Sequence, residues 1–232
     1  MTTTPIVALD VPSVDDALRI VRSLGDRCRF YKIGLELFTA SGPSVVAKVR
    51  ETGGDVFLDL KLHDIPNTVR GAARSAAALG VRLLTVHAIG GLEMVQAAVE
   101  GGGAQLGILA VTVLTSFDDA SLAAAAGKPG VAVGDEVARL ADLAHRARAH
   151  GVVCSGAEAG ALHARYSGEL ALLVPGIRMA GGATHDQRRV VTPARAASAG
   201  ARYIVLGRAV TAADDPNAAM ERVLSELEAV AV

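Results

Sequence analysis

The chain is expected to close into a parallel eight-stranded α/β barrel, and three features of the sequence carry that expectation. Eight short apolar runs alternate with helical patterns from one end to the other, in units of roughly thirty residues and with no composition break between them. The length of 232 residues is normal for one such barrel, which commonly runs to ~250 residues. The composition is 51% hydrophobic but only 3% aromatic, with no Trp, so the core must come from Ala, Val, Leu and Ile, which suits parallel strands buried on both faces. The expectation is a single (β/α)8 TIM-barrel domain over residues 1–232.

The expected strands are Ile6–Leu9, Phe30–Ile33, Val56–Leu60, Leu83–Val86, Gly107–Val113, Val152–Val153, Leu170–Val174 and Tyr203–Leu206. Helix punctuation lies between them. Ser13 is placed to cap a helix whose first turn holds Asp15 and Asp16, which favour the positive end of the helix dipole. Gly80, Gly151 and Gly200 each follow an Ala-rich helical pattern, where a left-handed residue is expected just past the helix end. Asp214-Asp215-Pro216 announces the last helix, with Pro216 in its first turn. The irregular stretch is Ser116–Gly134, read as a short extra helix over Ser121–Ala126 within a surface loop.

Bulk charge excludes some functions. A net charge of −1 and a pI near 6.6 give no overall field for nucleic acid or an anionic membrane, so an anion must be bound locally. Cys28 and Cys154 have no metal-ligand spacing and are expected reduced and buried, without a disulfide. No basic-plus-apolar leader and no apolar stretch of ~18 residues is present, so a cytoplasmic protein is expected.

In a barrel of this kind the chemistry lies at the C-terminal ends of the strands, and reactive residues collect there. Asp10 ends the first strand, Lys32 the second, Asp59 and Lys61 the third and His87 the fourth; Thr115 follows the fifth, Arg178 the seventh, and Gly207-Arg208 the eighth. Pro175-Gly176-Ile177-Arg178 and Gly207-Arg208 stand where barrels commonly hold phosphate: glycine lets backbone amides approach an anion and arginine grips it bidentately. Asp10, Lys32, Asp59 and Lys61 form an alternating row of charge. Such a row either stabilises the fold or serves chemistry.

The most specific stretch is Asp59-Leu60-Lys61-Leu62-His63-Asp64-Ile65-Pro66-Asn67-Thr68. Asp59 and Lys61, two residues apart, are expected to project from one face of a strand end. The choice of lysine is informative, because the 23 basic residues include only Lys32, Lys48, Lys61 and Lys128 as lysines. Where a plain positive charge suffices this chain uses arginine, which does not release a proton. Lys61 is therefore the candidate proton donor. His87 is either a ligand contact or a histidine satisfied by backbone; His63 is expected exposed; Cys154-Ser155 reads as small packed residues. His145, His150 and His163 lie on helical patterns and receive no role.

Taken with Ala8-Leu9-Asp10, Lys32-Ile33-Gly34, Val113-Leu114-Thr115-Ser116, Pro175-Gly176-Ile177-Arg178, Asp186-Gln187-Arg188-Arg189 and Gly207-Arg208, that stretch resembles the orotidine 5′-phosphate decarboxylases, in order from about Ile6 to Asn217. The resemblance implies a homodimeric barrel that converts orotidine 5′-monophosphate to UMP and CO2 in pyrimidine nucleotide synthesis, with neither metal nor organic cofactor. It implies that Asp59, Lys61 and Asp64 belong to the catalytic network with Lys32, Asp64 reaching the partner subunit's site, and that Lys61 protonates the carbon that loses the carboxylate. Asp10 and Lys32 would hold the ribose hydroxyls, Thr68 the ribose across the dimer interface, and Thr115 the pyrimidine edge. Gln187, Gly207 and Arg208, with Arg178, would hold the phosphate. One departure is His185, where the family commonly has glycine before Asp-Gln, which bears on the path of the Met179–His185 loop. The alternatives are a Mg2+-dependent 3-keto-gulonate-phosphate decarboxylase or hexulose-phosphate synthase on the same barrel, against which Lys32 and Ile65-Pro66-Asn67-Thr68 argue, and a non-catalytic phosphate-ligand-binding barrel.

Overall fold

A computed structural model of the chain describes residues 2–179 and 191–230. Eight strands, β1 (Thr4–Ala8), β2 (Phe30–Gly34), β3 (Asp55–Leu62), β4 (Leu83–His87), β5 (Gly107–Val111), β6 (Gly151–Val153), β7 (Ala171–Val174) and β8 (Tyr203–Leu206), pair in parallel and in sequence order, and β8 pairs with β1 to close the barrel. The helices between them are α1 (Val14–Leu24), α2 (Leu35–Ser41), α3 (Ser44–Glu51), α4 (Pro66–Ala78), α5 (Leu92–Gly102), α6 (Asp119–Ala126), α7 (Val133–Arg146), α8 (Gly156–Tyr166), α9 (Pro193–Ser198), α10 (Arg208–Thr211) and α11 (Pro216–Glu228). The expected eight-stranded barrel is the fold observed.

Strand alternation divides the core in two. Residues such as Val7, Tyr31, Ile33, Val56, Leu58, Leu84 and Val86 face outward into the layer shared with the helices. Ile6, Ala8, Phe30, Phe57, Leu83, Leu109, Leu173 and Val205 fill the barrel interior. Phe57 is 1% exposed there, and a ring of that kind contributes about 3–5 kcal/mol relative to alanine.

Helix punctuation follows the expected chemistry at most positions. The Ser13 hydroxyl accepts from the Asp16 N–H, Asp215 caps α11 with Pro216 in the first turn, and Gly80 and Gly200 take positive φ after their helices. Gly151 does not: it opens β6, and the left-handed residue after α7 is Arg148, at φ 58°. Gly151 is glycine because a Cβ there would lie 2.1 Å from the Ala171 carbonyl oxygen of β7. His150 accordingly precedes β6 and does not sit on a helix; its Nε2 lies 3.1 Å from the Tyr203 hydroxyl. The irregular stretch holds the expected short helix, which begins at Asp119 and not Ser121, and α7 begins at Val133. Asp118 caps α6 by a reciprocal capping box with Ser121, and Asp119 Oδ1 accepts from the Val133 N–H at 2.8 Å, tying α6 to the start of α7.

Two local features aim the site. First, β3 runs two residues further than expected, to Leu62, and its register with β4 jumps: Leu58 pairs with Leu84, but the next pairing is Leu62 with Val86. Four residues of β3 thus span two of β4, a bulge that bends the strand end. Second, α5 crosses α4 at backbone contact, since a Cβ on Gly101 would lie 2.2 Å from the Arg70 carbonyl oxygen. That contact holds the helix into which the Asp59–Thr68 stretch runs.

Candidate active site

The inward positions of β2, β3 and β4 change character toward the C-terminal end. Phe30 is followed two residues on by Lys32, Phe57 by Asp59, and Leu83 by Thr85. Since alternate residues share a face, the apolar plug of the barrel is topped by a polar layer. Above it a cavity of about 610 Å3 opens at the strands' C-terminal ends, with Asp10, Lys32, Asp59, Lys61, Thr115, Arg178, Gly207 and Arg208 in its lining. A second hollow of about 360 Å3 lies at the opposite end, beside Phe30, Leu83, His150 and Tyr203, and holds none of the expected site residues.

The charges in the row touch one another. Lys32 Nζ lies 2.7 Å from Asp10 Oδ1 and 3.6 Å from Asp59 Oδ2, and Lys61 Nζ lies 2.9 Å from both Asp59 oxygens. Exposure separates them into two kinds. The side chains of Lys32 and Asp59 are 10% and 12% exposed, whereas those of Lys61 and Asp10 are 30% and 56% exposed. Lys32 and Asp59 form an inner frame; Lys61 and Asp10 face the cavity. Burial alone would raise the Asp59 pKa, but the Lys32 and Lys61 ammonium groups and hydrogen bonds from Lys61 and Thr85 outweigh it and hold the carboxyl below its ordinary range.

Lys61 has φ 49°, a left-handed backbone that costs a residue with a side chain of order 1–3 kcal/mol. The bulge requires it. The backbone N–H of Lys61, out of register with β4, donates instead to Thr85 Oγ1 at 2.9 Å, and the Thr85 hydroxyl donates to Asp59 Oδ1 at 2.9 Å.

The remaining expected residues separate by location. Arg178 stands on the loop after β7 and Arg208 opens α10 just after β8; the Arg178 N–H donates to the Val191 carbonyl at 3.0 Å, joining the two described sides of its loop. Gln187 and most of the Met179–His185 loop lie outside the described residues. Asp64 and Thr68 are exposed and do not line the chain's own cavity; Asp64 Oδ1 accepts from the Ile65 N–H at 2.6 Å. His87 ends β4 with its ring 5.9 Å from that of exposed His63, and neither lines the cavity. Burial lowers the His87 pKa, the neighbouring His63 and Lys61 push the same way, and Asp59 opposes them.

Sequence reasoning missed Thr85 and Gly34. Thr85 is a hydroxyl at the inward position between Leu83 and His87, so its alternation was the available signal. Gly34 is needed because a Cβ there would lie 2.8 Å from Asp10 Oδ1 and 2.9 Å from Lys32 Nζ.

Fold and site together define a class: a (β/α)8 barrel with a self-neutralising Asp/Lys row at its C-terminal mouth and arginines on the two loops where such barrels take phosphate. Comparison with known proteins narrows the class. The family model described as Orotidine 5'-phosphate decarboxylase / HUMPS family matches residues 3–223. A protein of Anaeromyxobacter sp. (strain K) named orotidine 5′-phosphate decarboxylase is 52% identical over 222 residues, covering 95% of this chain and 96% of its own. One of the same name from Methylorubrum extorquens (strain PA1) is 49% identical over 223 residues, covering 96% and 94%. Among solved structures, orotidine 5′-phosphate decarboxylase from Lactobacillus acidophilus aligns at TM-score 0.85 and 37% identity over 98% of this chain and 99% of that one. The enzyme from Pyrococcus horikoshii OT3 aligns at 0.78 and 27%, over 97% and 99%. The chain belongs to the orotidine 5′-phosphate decarboxylase / HUMPS family.

Proposed function

We propose that this chain decarboxylates orotidine 5′-monophosphate to UMP and CO2 in pyrimidine nucleotide synthesis, with Lys61 as proton donor. The observation that carries the reading is the Asp10–Lys32–Asp59–Lys61 row at the cavity mouth, in a chain about half identical to proteins named for that activity. Loss of CO2 from this ring leaves an electron pair in an sp2 orbital on a carbon with no adjacent sink. The enzyme must lower that barrier by around 20 kcal/mol, at the upper end of what enzymes deliver. The Lys61 ammonium, fixed beside the largely buried Asp59 carboxylate, meets the developing carbanion and then quenches it by proton transfer. Asp59 holds that ammonium by both oxygens and keeps its own negative charge near the departing carboxylate. Asp10 and Lys32 take the ribose hydroxyls, Thr115 the pyrimidine edge, and Arg178, Gln187, Gly207 and Arg208 the phosphate.

The same reading makes the working unit a homodimer of single-domain barrels in the cytoplasm, with Asp64 and Thr68 serving the partner's site. Its support is that both residues stand outside their own cavity, on a rim that also exposes Leu35, Ile65 and Ile89 at 54%, 67% and 61% just past the ends of β2, β3 and β4. Large apolar side chains grouped in this way mark contact surfaces. Among the described residues no helix is long and apolar enough to cross a membrane. The test is Lys61→Ala, followed by the change in ultraviolet absorbance of orotidylate: decarboxylation is lost while circular dichroism stays native. Near-normal turnover rejects the proton-donor role.

A further inference from the structure

The bulge between β3 and β4 leaves the Lys61 N–H without a ladder partner, and a side chain takes the ladder's place. Thr85 is wholly buried. A backbone N–H only donates, so the Thr85 oxygen accepts from Lys61, and its own proton is left for Asp59 Oδ1. Both contacts are 2.9 Å, and with no exposed surface at Thr85 no solvent water replaces either one. A single hydroxyl therefore fixes the left-handed backbone of Lys61 and the orientation of the carboxylate that grips its ammonium.

We propose that Thr85 is a positioning residue for the decarboxylation, setting through Asp59 and the Lys61 backbone where the Lys61 ammonium stands in the cavity. The inference rests on the reading of Lys61 given above. Thr85 lines no part of the cavity, so substrate binding should be nearly blind to it, whereas the rate should not. Without the hydroxyl, the Lys61 N–H is orphaned in a buried place and Asp59 is free to rotate, carrying Lys61 Nζ with it.

The experiment compares Thr85→Val, which keeps shape without the hydroxyl, with Thr85→Ser, which keeps the hydroxyl. Steady-state kinetics on orotidine 5′-monophosphate are measured beside calorimetric titration with UMP. In Thr85→Val kcat falls roughly 10- to 100-fold, the equivalent of one hydrogen bond to a charged group, while UMP affinity changes by less than about threefold; Thr85→Ser returns kcat to within about threefold of wild type. Wild-type kcat in folded Thr85→Val overturns the proposal. So does a loss that Thr85→Ser does not restore, or one matched by an equal loss of UMP affinity. If Thr85→Val does not fold, Thr85→Ala is read by the same criteria. Lys61→Ala assayed alongside separates the two claims: an active Lys61→Ala overturns the reading of the site, and an inactive one beside a normal Thr85→Val overturns the positioning role alone.

Discussion

Gly34→Ala is the sharpest probe of the charge row, because it adds one methyl group and no charge. The Gly34 backbone has φ −92° and ψ −177°, an extended conformation open to alanine, so the substitution brings no backbone strain. Its Cβ, however, would lie 2.8 Å from Asp10 Oδ1 and 2.9 Å from Lys32 Nζ. Ordinary contact is near 3.5 Å, so the two ends must each retreat by roughly 0.6–0.7 Å. Both are tips of flexible side chains, which puts the stability cost low, within about 1 kcal/mol. Lys32 is hemmed in on its other side by Asp59, at 3.6 Å, so its retreat is passed to the carboxylate and from there to Lys61. Displacements approaching 1 Å at a reacting group reduce rates by ~10²-fold. The expected outcome is a kcat/KM for orotidine 5′-monophosphate lower by about 10- to 100-fold at nearly unchanged melting temperature. Wild-type kcat/KM in a folded Gly34→Ala protein would refute the coupling of the row.

Arg208→Ala should lower kcat/KM by about 10²-fold or more, although it touches no reacting atom, because binding energy from a remote phosphate holds the site in its working form. Equal turnover by mutant and wild type would count against phosphate binding on that loop. Decarboxylation should survive exhaustive treatment with EDTA; loss of activity restored by Mg2+ would move the chain toward the metal-dependent branch of its family. The pKa of Asp59 is lower folded than unfolded, so its ionisation stabilises the protein above the ordinary carboxylate pKa, and that contribution is lost as pH falls through the folded value. The difference in melting temperature between wild type and Asp59→Asn is therefore widest above about pH 5 and narrows below about pH 4. A constant difference from neutral to acid pH would contradict this.

The barrel was legible because the strands are short apolar runs, several of them ended by a charge, and most of the helices between them carry a cap or stop. The charge row was legible for the same reason: Lys32 and Asp59 interrupt apolar strands, where an ion has to be explained. The details that aim the row were not. Period-2 reasoning placed Asp59 and Lys61 on one face of a regular strand, but the register jump at Leu58/Leu62 and the positive φ of Lys61 come from pairing with β4. Such pairing belongs to no local stretch of sequence. Gly34 and Gly151 were opaque likewise, since each is set by atoms from a neighbouring element. Gly151 therefore passed for a helix stop, a role the sequence around it also suits.

The proposal that the proton comes from Lys61 and not Lys32 agrees with how the row is solvated. Two ammonium groups and two carboxylates sum to zero, which lets the inner pair sit at about a tenth exposed without an unpaired ion in the barrel. Lys32 is enclosed between Asp10 and Asp59 and is part of what makes burial of Asp59 tolerable. Among the described residues the Lys61 ammonium is held by Asp59, and it is three times as exposed as Lys32, so of the two ammonium groups lining the cavity it is the more open. Remove Lys61, and Asp59 still has Lys32 and the Thr85 hydroxyl; remove Asp59, and two ammonium groups face each other with no carboxylate between them. On the proposed reading, the chain can therefore lose its proton donor and keep its fold, whereas the carboxylate beneath it serves stability as well as the proposed chemistry.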